Sequence, residues 1–247
     1  MNQNNQLINR RSFLNLTGTG GMALVASVMG SAIWSMQPES AIASASSKDG
    51  KASPNESLSP DAALKRLMDG NRRFVQQKGQ HPDQSRTRMQ QVAQAQHPYA
   101  VLLSCADSRV PPEILFDEGI GDLFDIRVAG NIVTPEVLGS LEYAVALLNT
   151  PLLVVLGHER CGAVTAAVKG ESLPGQIGSF VKAIKPALAK VKDEPGDPVD
   201  NGVIANVHYQ IEKLKQNSDI VSQRLLSGKL KIVGGRYDLD SGEVTVL

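Results

Sequence analysis

Two kinds of hydrophobic pattern alternate along most of this chain: short solid apolar runs, and longer stretches in which apolar residues recur every three or four positions. Residues 99–104 and 152–156 are of the first kind, the latter almost purely branched-aliphatic, as strands buried on both faces are. Residues 123–128 and 230–233 predict two further strands. Of the second kind, Ala63, Leu64, Leu67, Met68 and Phe74 mark an amphipathic helix over 60–75, with Ser59 as N-cap and Pro60 in its first turn. A polar helix is expected over 83–94. Another spans 135–148, with Val137, Leu138, Leu141, Val145 and Leu148 on one side. Helices over 161–169 and 177–191, a Pro/Gly/Asp-rich loop at 193–200 and a mostly helical stretch over 201–226 complete the series. Residues 242–247 pair with the strand at 230–233 across a turn at 238–242. This alternation predicts a single α/β domain: a mainly parallel central sheet flanked by helices, with a C-terminal strand or hairpin at its edge.

The first 58 residues break the pattern. Asn9, Arg10, Arg11, Ser12, Phe13 and Leu14 form a twin-arginine export motif, followed by a Gly/Ser/Thr-diluted apolar stretch to Trp34. Ala41, Ile42 and Ala43 then offer a small-residue cleavage pattern, with a second register at Ala43, Ser44 and Ala45. Residues 1–43 are therefore expected to be a signal peptide, with an uncleaved membrane anchor as the alternative. Residues 44–58 are a flexible leader, and 59–247 the folded domain. The expected location is the periplasm or cell envelope, or a lumen, reached by the twin-arginine route.

Charge narrows the partners. The 247 residues carry 25 basic and 25 acidic side chains, and 23 and 24 remain beyond residue 43. No basic excess invites nucleic acid or anionic lipid, so a small neutral or anionic ligand is expected.

The chain has two cysteines, and each follows a predicted strand: Cys105 opens CADSR, and Cys161 closes His158-Glu159-Arg160-Cys161. In an exported protein two cysteines suggest a disulfide. Their neighbours point elsewhere. Two thiols, an imidazole and a carboxylate suit a borderline-soft cation such as zinc, and ligands in α/β folds bind beyond the carboxyl ends of strands. Asp107 and Arg109, two apart, can face one side and pair; on a bare surface such a pair is worth about 0–1 kcal/mol, whereas beside a metal the guanidinium keeps the carboxylate ionised and oriented. His81, His97 and His208 have no such company.

CADSRVPPE (105–113), GHERCGAV (157–164) and the IVGGRYDLDSGEV ending together resemble the β-class carbonic anhydrases, over roughly 59–247. The resemblance implies reversible hydration of carbon dioxide to bicarbonate and a proton by zinc-bound hydroxide. It implies zinc ligands at Cys105, His158 and Cys161 and a catalytic dyad of Asp107 and Arg109, with Asp107 binding the metal only in a closed state. Within the plant-like branch it further implies substrate contacts from Gln96, Phe124, Tyr143 and the amide of Gly162. It also implies a homodimer, or a higher oligomer of dimers, whose partner supplies the aromatic residues. The one tryptophan, Trp34, falls in the signal, which sets the domain apart from the branch that uses a tryptophan at an inhibitory bicarbonate site. Two thiolates cancel a zinc ion's charge, so hydration should accelerate above neutral pH rather than saturate near the value of about 7 of a three-histidine site. A related zinc hydrolase acting on carbonyl sulfide or carbon disulfide, and a catalytically silent zinc protein closed by Asp107, remain as alternatives.

Overall fold

The computed structural model describes residues 58–170 and 172–247. The expected signal peptide and all of the expected leader except Leu58 lie outside the described residues. Leu58 itself already packs against the core.

Five strands form one sheet in the order β2-β1-β3-β4-β5: β1 (Ala100–Ser104), β2 (Leu123–Arg127), β3 (Leu152–His158), β4 (Lys231–Tyr237) and β5 (Val244–Val246). The first four are mutually parallel, and β5 returns antiparallel to β4 at the edge. Every residue of β1 and β3 is buried, and the pleat sends alternate residues to opposite faces. Val101, Leu103, Leu153 and Val155 meet α4 (Pro135–Ala146), α7 (Pro198–Asn217) and α8 (Asp219–Leu226) on one face. Ala100, Leu102, Leu152, Val154 and Leu156 meet α1 (Pro60–Val75) and the short α3 (Pro112–Leu115) on the other. A third apolar cluster lies beyond the strand ends, where α5 (Gly162–Lys169), α6 (Gly178–Leu188) and α7 surround Cys105 and Cys161.

Chain order fixes where a ligand can enter. From β1 the chain moves outward to β2, then crosses back over β1 to β3 on its other side. The switch point is therefore between β1 and β3, and Cys105 and His158 stand at their carboxyl ends.

The predicted elements are present with shifted bounds. Ser59 Oγ accepts from Ala62 N at 3.2 Å, the expected cap of α1. The polar helix α2 is shorter than predicted, Arg86–Val92, and buries no residue. The stretch 201–226 is two helices meeting at Ser218, whose Oγ accepts from Val221 N at 3.2 Å and caps α8. The loop before it ends early because Asp197 Oδ1 accepts from Val199 N at 2.8 Å and starts α7 at Pro198. Strand β4 runs four residues past Val233, through Gly234 and Gly235.

Candidate metal centre

Cys105 follows β1 directly, His158 is the last residue of β3, and Cys161 is the N-cap of α5. Two strand ends and a helix start thus converge, and the three donor atoms lie within 4.8 Å of one another. All three side chains are buried. The sulfurs are 4.0 Å apart and both cysteines are free, so the disulfide expectation fails: a bridge needs about 2.05 Å. Sulfurs bound to one tetrahedral zinc at about 2.3 Å each would stand about 3.8 Å apart, close to what is seen.

His158 supplies a second test of fit. Nδ1–H donates to the carbonyl of Glu159 at 2.9 Å, which leaves the lone pair on Nε2. Nε2 is fully buried and has no hydrogen-bond partner among the described residues. A buried acceptor left unpaired is costly, and a cation facing the two sulfurs would satisfy it. Charge argues the same way. The Cys105 thiol is pulled down in pKa, first by the hydrogen bond from Cys161 and against its own burial, while Cys161 is pushed up by Cys105 and by burial. Each thiolate disfavours a second one at this distance in a buried site, so two thiolates together require a cation. The donor set fits a divalent metal ion of zinc's kind.

Asp107 is turned onto Arg109. Its Oδ1 accepts from Arg109 N at 3.0 Å and Nε at 2.9 Å, and its Oδ2 from Nη2 at 2.8 Å. That pairing, chiefly the Arg109 side chain, holds the carboxyl well below the usual carboxylate range despite partial burial. Asp107 Oδ2 is 3.9 Å from His158 Nε2, so the carboxylate faces the donor group without entering it. Gly162, the first residue of α5, is exposed, and a first-turn N–H has no acceptor within its own helix.

Gln96, Phe124 and Tyr143 are elsewhere. Gln96 and Tyr143 line one surface cleft of ≈ 580 Å³, and the Phe124 ring lies 6.2 Å from that of Tyr143. Phe124 is paired with Val101, four residues before Cys105, or about 13 Å along the strand. Within one chain the structure gathers the metal donors and the dyad at one place and these three residues at another.

Arg127 is a site residue that sequence reasoning missed. It ends β2, beside Ser104, and its guanidinium donates from Nε to Cys105 O at 3.0 Å and from Nη2 to Asp107 O at 2.6 Å. It fixes the backbone that carries both a donor and the dyad carboxylate. A basic residue closing a short edge strand at the level of Ser104 was its one signal.

An α/β sheet with a buried Cys-His-Cys donor set at its switch point and an Asp–Arg pair beside it defines a metalloenzyme scaffold. The family model described as carbonic anhydrase matches residues 100–244. "Carbonic anhydrase 2" of Mycobacterium tuberculosis is 43% identical over 191 residues, covering 76% of this chain and 92% of that protein. Among solved structures, the β-carbonic anhydrase CcaA has a TM-score of 0.60 at 27% identity, over 74% of this chain and 94% of that one. A Coccomyxa β-carbonic anhydrase in complex with acetazolamide has a TM-score of 0.59 at 28% identity, over 74% and 86%. This chain belongs to the β-class carbonic anhydrases.

Proposed function

We propose that the chain is a zinc-dependent carbonate dehydratase that interconverts carbon dioxide and bicarbonate, with Cys105, His158 and Cys161 holding the metal. The observation that carries this is the orphaned Nε2 of His158 facing two sulfurs. Zinc held there would supply Lewis acidity that lowers the pKa of water and makes it a nucleophile. Asp107, locked as an acceptor by Arg109, would accept a hydrogen bond from the attacking oxygen's O–H and so aim its lone pair at the carbon of carbon dioxide. Arg127 keeps that carboxylate in place through the carbonyl of Asp107. The amide of Gly162, at the start of α5, would receive the negative charge of the product. Asp107, held by Arg109 and facing the donors without joining them, favours the active reading over the silent one.

Gln96, Phe124 and Tyr143 complete the pocket from a partner subunit in a homodimer or an oligomer of dimers. Their separation from the donors within one chain supports this. Export by the twin-arginine route to the cell envelope rests on residues 9–43; changing Arg10 and Arg11 to Lys should leave the precursor unprocessed inside the cell, and normal processing would refute the route.

The central test is metal content measured together with stopped-flow carbon dioxide hydration. The wild type should hold one zinc per chain, and its rate should rise between about pH 7 and about pH 9, because two thiolates leave the centre no net positive charge. Cys105→Ser should lose metal and activity together. An inactive wild type with full zinc, or a flat profile, overturns the reading.

A further inference from the structure

Helix α7 carries polar residues where an apolar face is the ordinary solution. Val203, Val207 and Leu214 cover the core as expected, yet Asn206 and Gln210 are also wholly buried. Buried amides are tolerated only when paired. These are, and their partners outside α7 all belong to one short segment between β2 and α4. Asn206 Nδ2 donates to Gly130 O at 2.9 Å. Gln210 Nε2 donates to Asn206 Oδ1 at 2.9 Å, and Gln210 Oε1 accepts from Val133 N at 2.9 Å. One turn on, Lys213 Nζ donates to Val133 O at 2.8 Å. Spacings of four and three residues put the three side chains on one stripe of the helix.

The segment they grip touches the metal centre. Gly130 N–H donates to Cys105 Sγ at 3.4 Å. Gly130 has φ +73°, and a Cβ there would stand 2.7 Å from Ile184 Cδ1, so only glycine presents its amide to the sulfur in this way. We propose that the Asn206–Gln210 pair is a positioning device that holds Gly130 against Cys105, so that the Gly130 N–H tunes how strongly this sulfur donates to the bound metal, while Lys213 only anchors the far end of the segment at Val133. This rests on the reading of Cys105 as a metal ligand. An N–H bond withdraws charge from a thiolate, fixes its direction and protects it from protonation, and partners at this remove change metal affinity about 10- to 100-fold.

The test uses the full protein loaded with zinc, cobalt(II) or 113Cd. In the 113Cd wild type, the Gly130 amide proton should show a scalar coupling to the metal through the sulfur; its absence overturns the proposal, whatever the variants do. Asn206→Ala should abolish that coupling, move the sulfur-to-cobalt charge-transfer band to longer wavelength, and speed zinc release to a chelator about tenfold or more. Lys213→Met, which touches only Val133 O, should lower Tm while keeping the wild-type band. An Asn206→Ala protein with unchanged band and release rate refutes the positioning role even if its Tm falls, since that is the behaviour of a purely structural amide. A wild type that binds none of the three ions overturns the metal centre and this proposal together. Loss of binding in Asn206→Ala alone supports both.

Discussion

At the scale of single residues, side chains here are fixed by what they lack as well as by what they bond. His158 has one nitrogen committed and one free. Asp125 on β2 is a second unsatisfied group: Oδ1 is buried without a partner, and burial, followed by the neighbouring Glu113 carboxylate, pushes the acid up to about 8. Folded Asp125 therefore keeps a proton that the unfolded chain releases near a pH of about 3.9. Its contribution to stability is complete below that pH and declines as pH rises through about 8. Asp125→Asn keeps the shape and removes the ionisation. Its Tm should come nearest the wild type's at about pH 4 and exceed it by a margin that grows up to about pH 8 and then levels off; a margin that does not change with pH would contradict the assignment. The cysteines, His158, Asp107 and Arg109 were legible in the sequence because each sits within two short strings at predicted strand ends. Arg127, Gly130, Asn206 and Gln210 were not, because their partners lie 20 to 80 residues away and meet only in the fold.

At the scale of elements, legibility followed burial. Strands β1 and β3 are apolar throughout and were read nearly to the residue; α2 buries nothing, and its bounds were overrun. Strand β4 was cut short because Gly234 and Gly235 look like a strand end, whereas Gly234, like Gly157 on β3, is a place where α7 presses close on the sheet. A Cβ there would stand 2.7 Å from Val207 Cγ1 and 3.3 Å from Ile211 Cδ1. Val207 is β-branched and wholly buried, so it cannot swing aside. Gly234→Ala should destabilise the protein by about 1–3 kcal/mol in a denaturant melt. Adding Val207→Ala should cost less in that background than alone, because the two changes share one space. Simple additivity would show that α7 is not held at this contact. Since the same helix carries Asn206 and Gln210, its height above the sheet also sets the reach of that pair to Gly130.

At the scale of the whole molecule, the single chain holds its metal donors and its proposed pocket residues apart. The donors and the dyad cluster beyond β1 and β3, while Gln96, Phe124 and Tyr143 gather lower on the sheet, around a cleft beside β2 and α4. Strand β2 is an edge strand with partly exposed residues throughout, and Tyr143 is 44% exposed although it is large and mostly apolar. If the pocket is shared across a two-fold interface, each chain lends these residues to its partner's metal centre. A Cys105→Ser chain then has a working pocket and no metal, and a Gln96→Ala, Tyr143→Ala chain has metal and no working pocket. Each alone should be nearly inactive. Co-refolded in equal amounts, half the dimers are mixed, and one of their two sites joins an intact centre to an intact pocket, so about a quarter of wild-type activity should return. Were the pocket built within one chain, neither parent could supply what the other lacks, and the mixture would stay as inactive as its components.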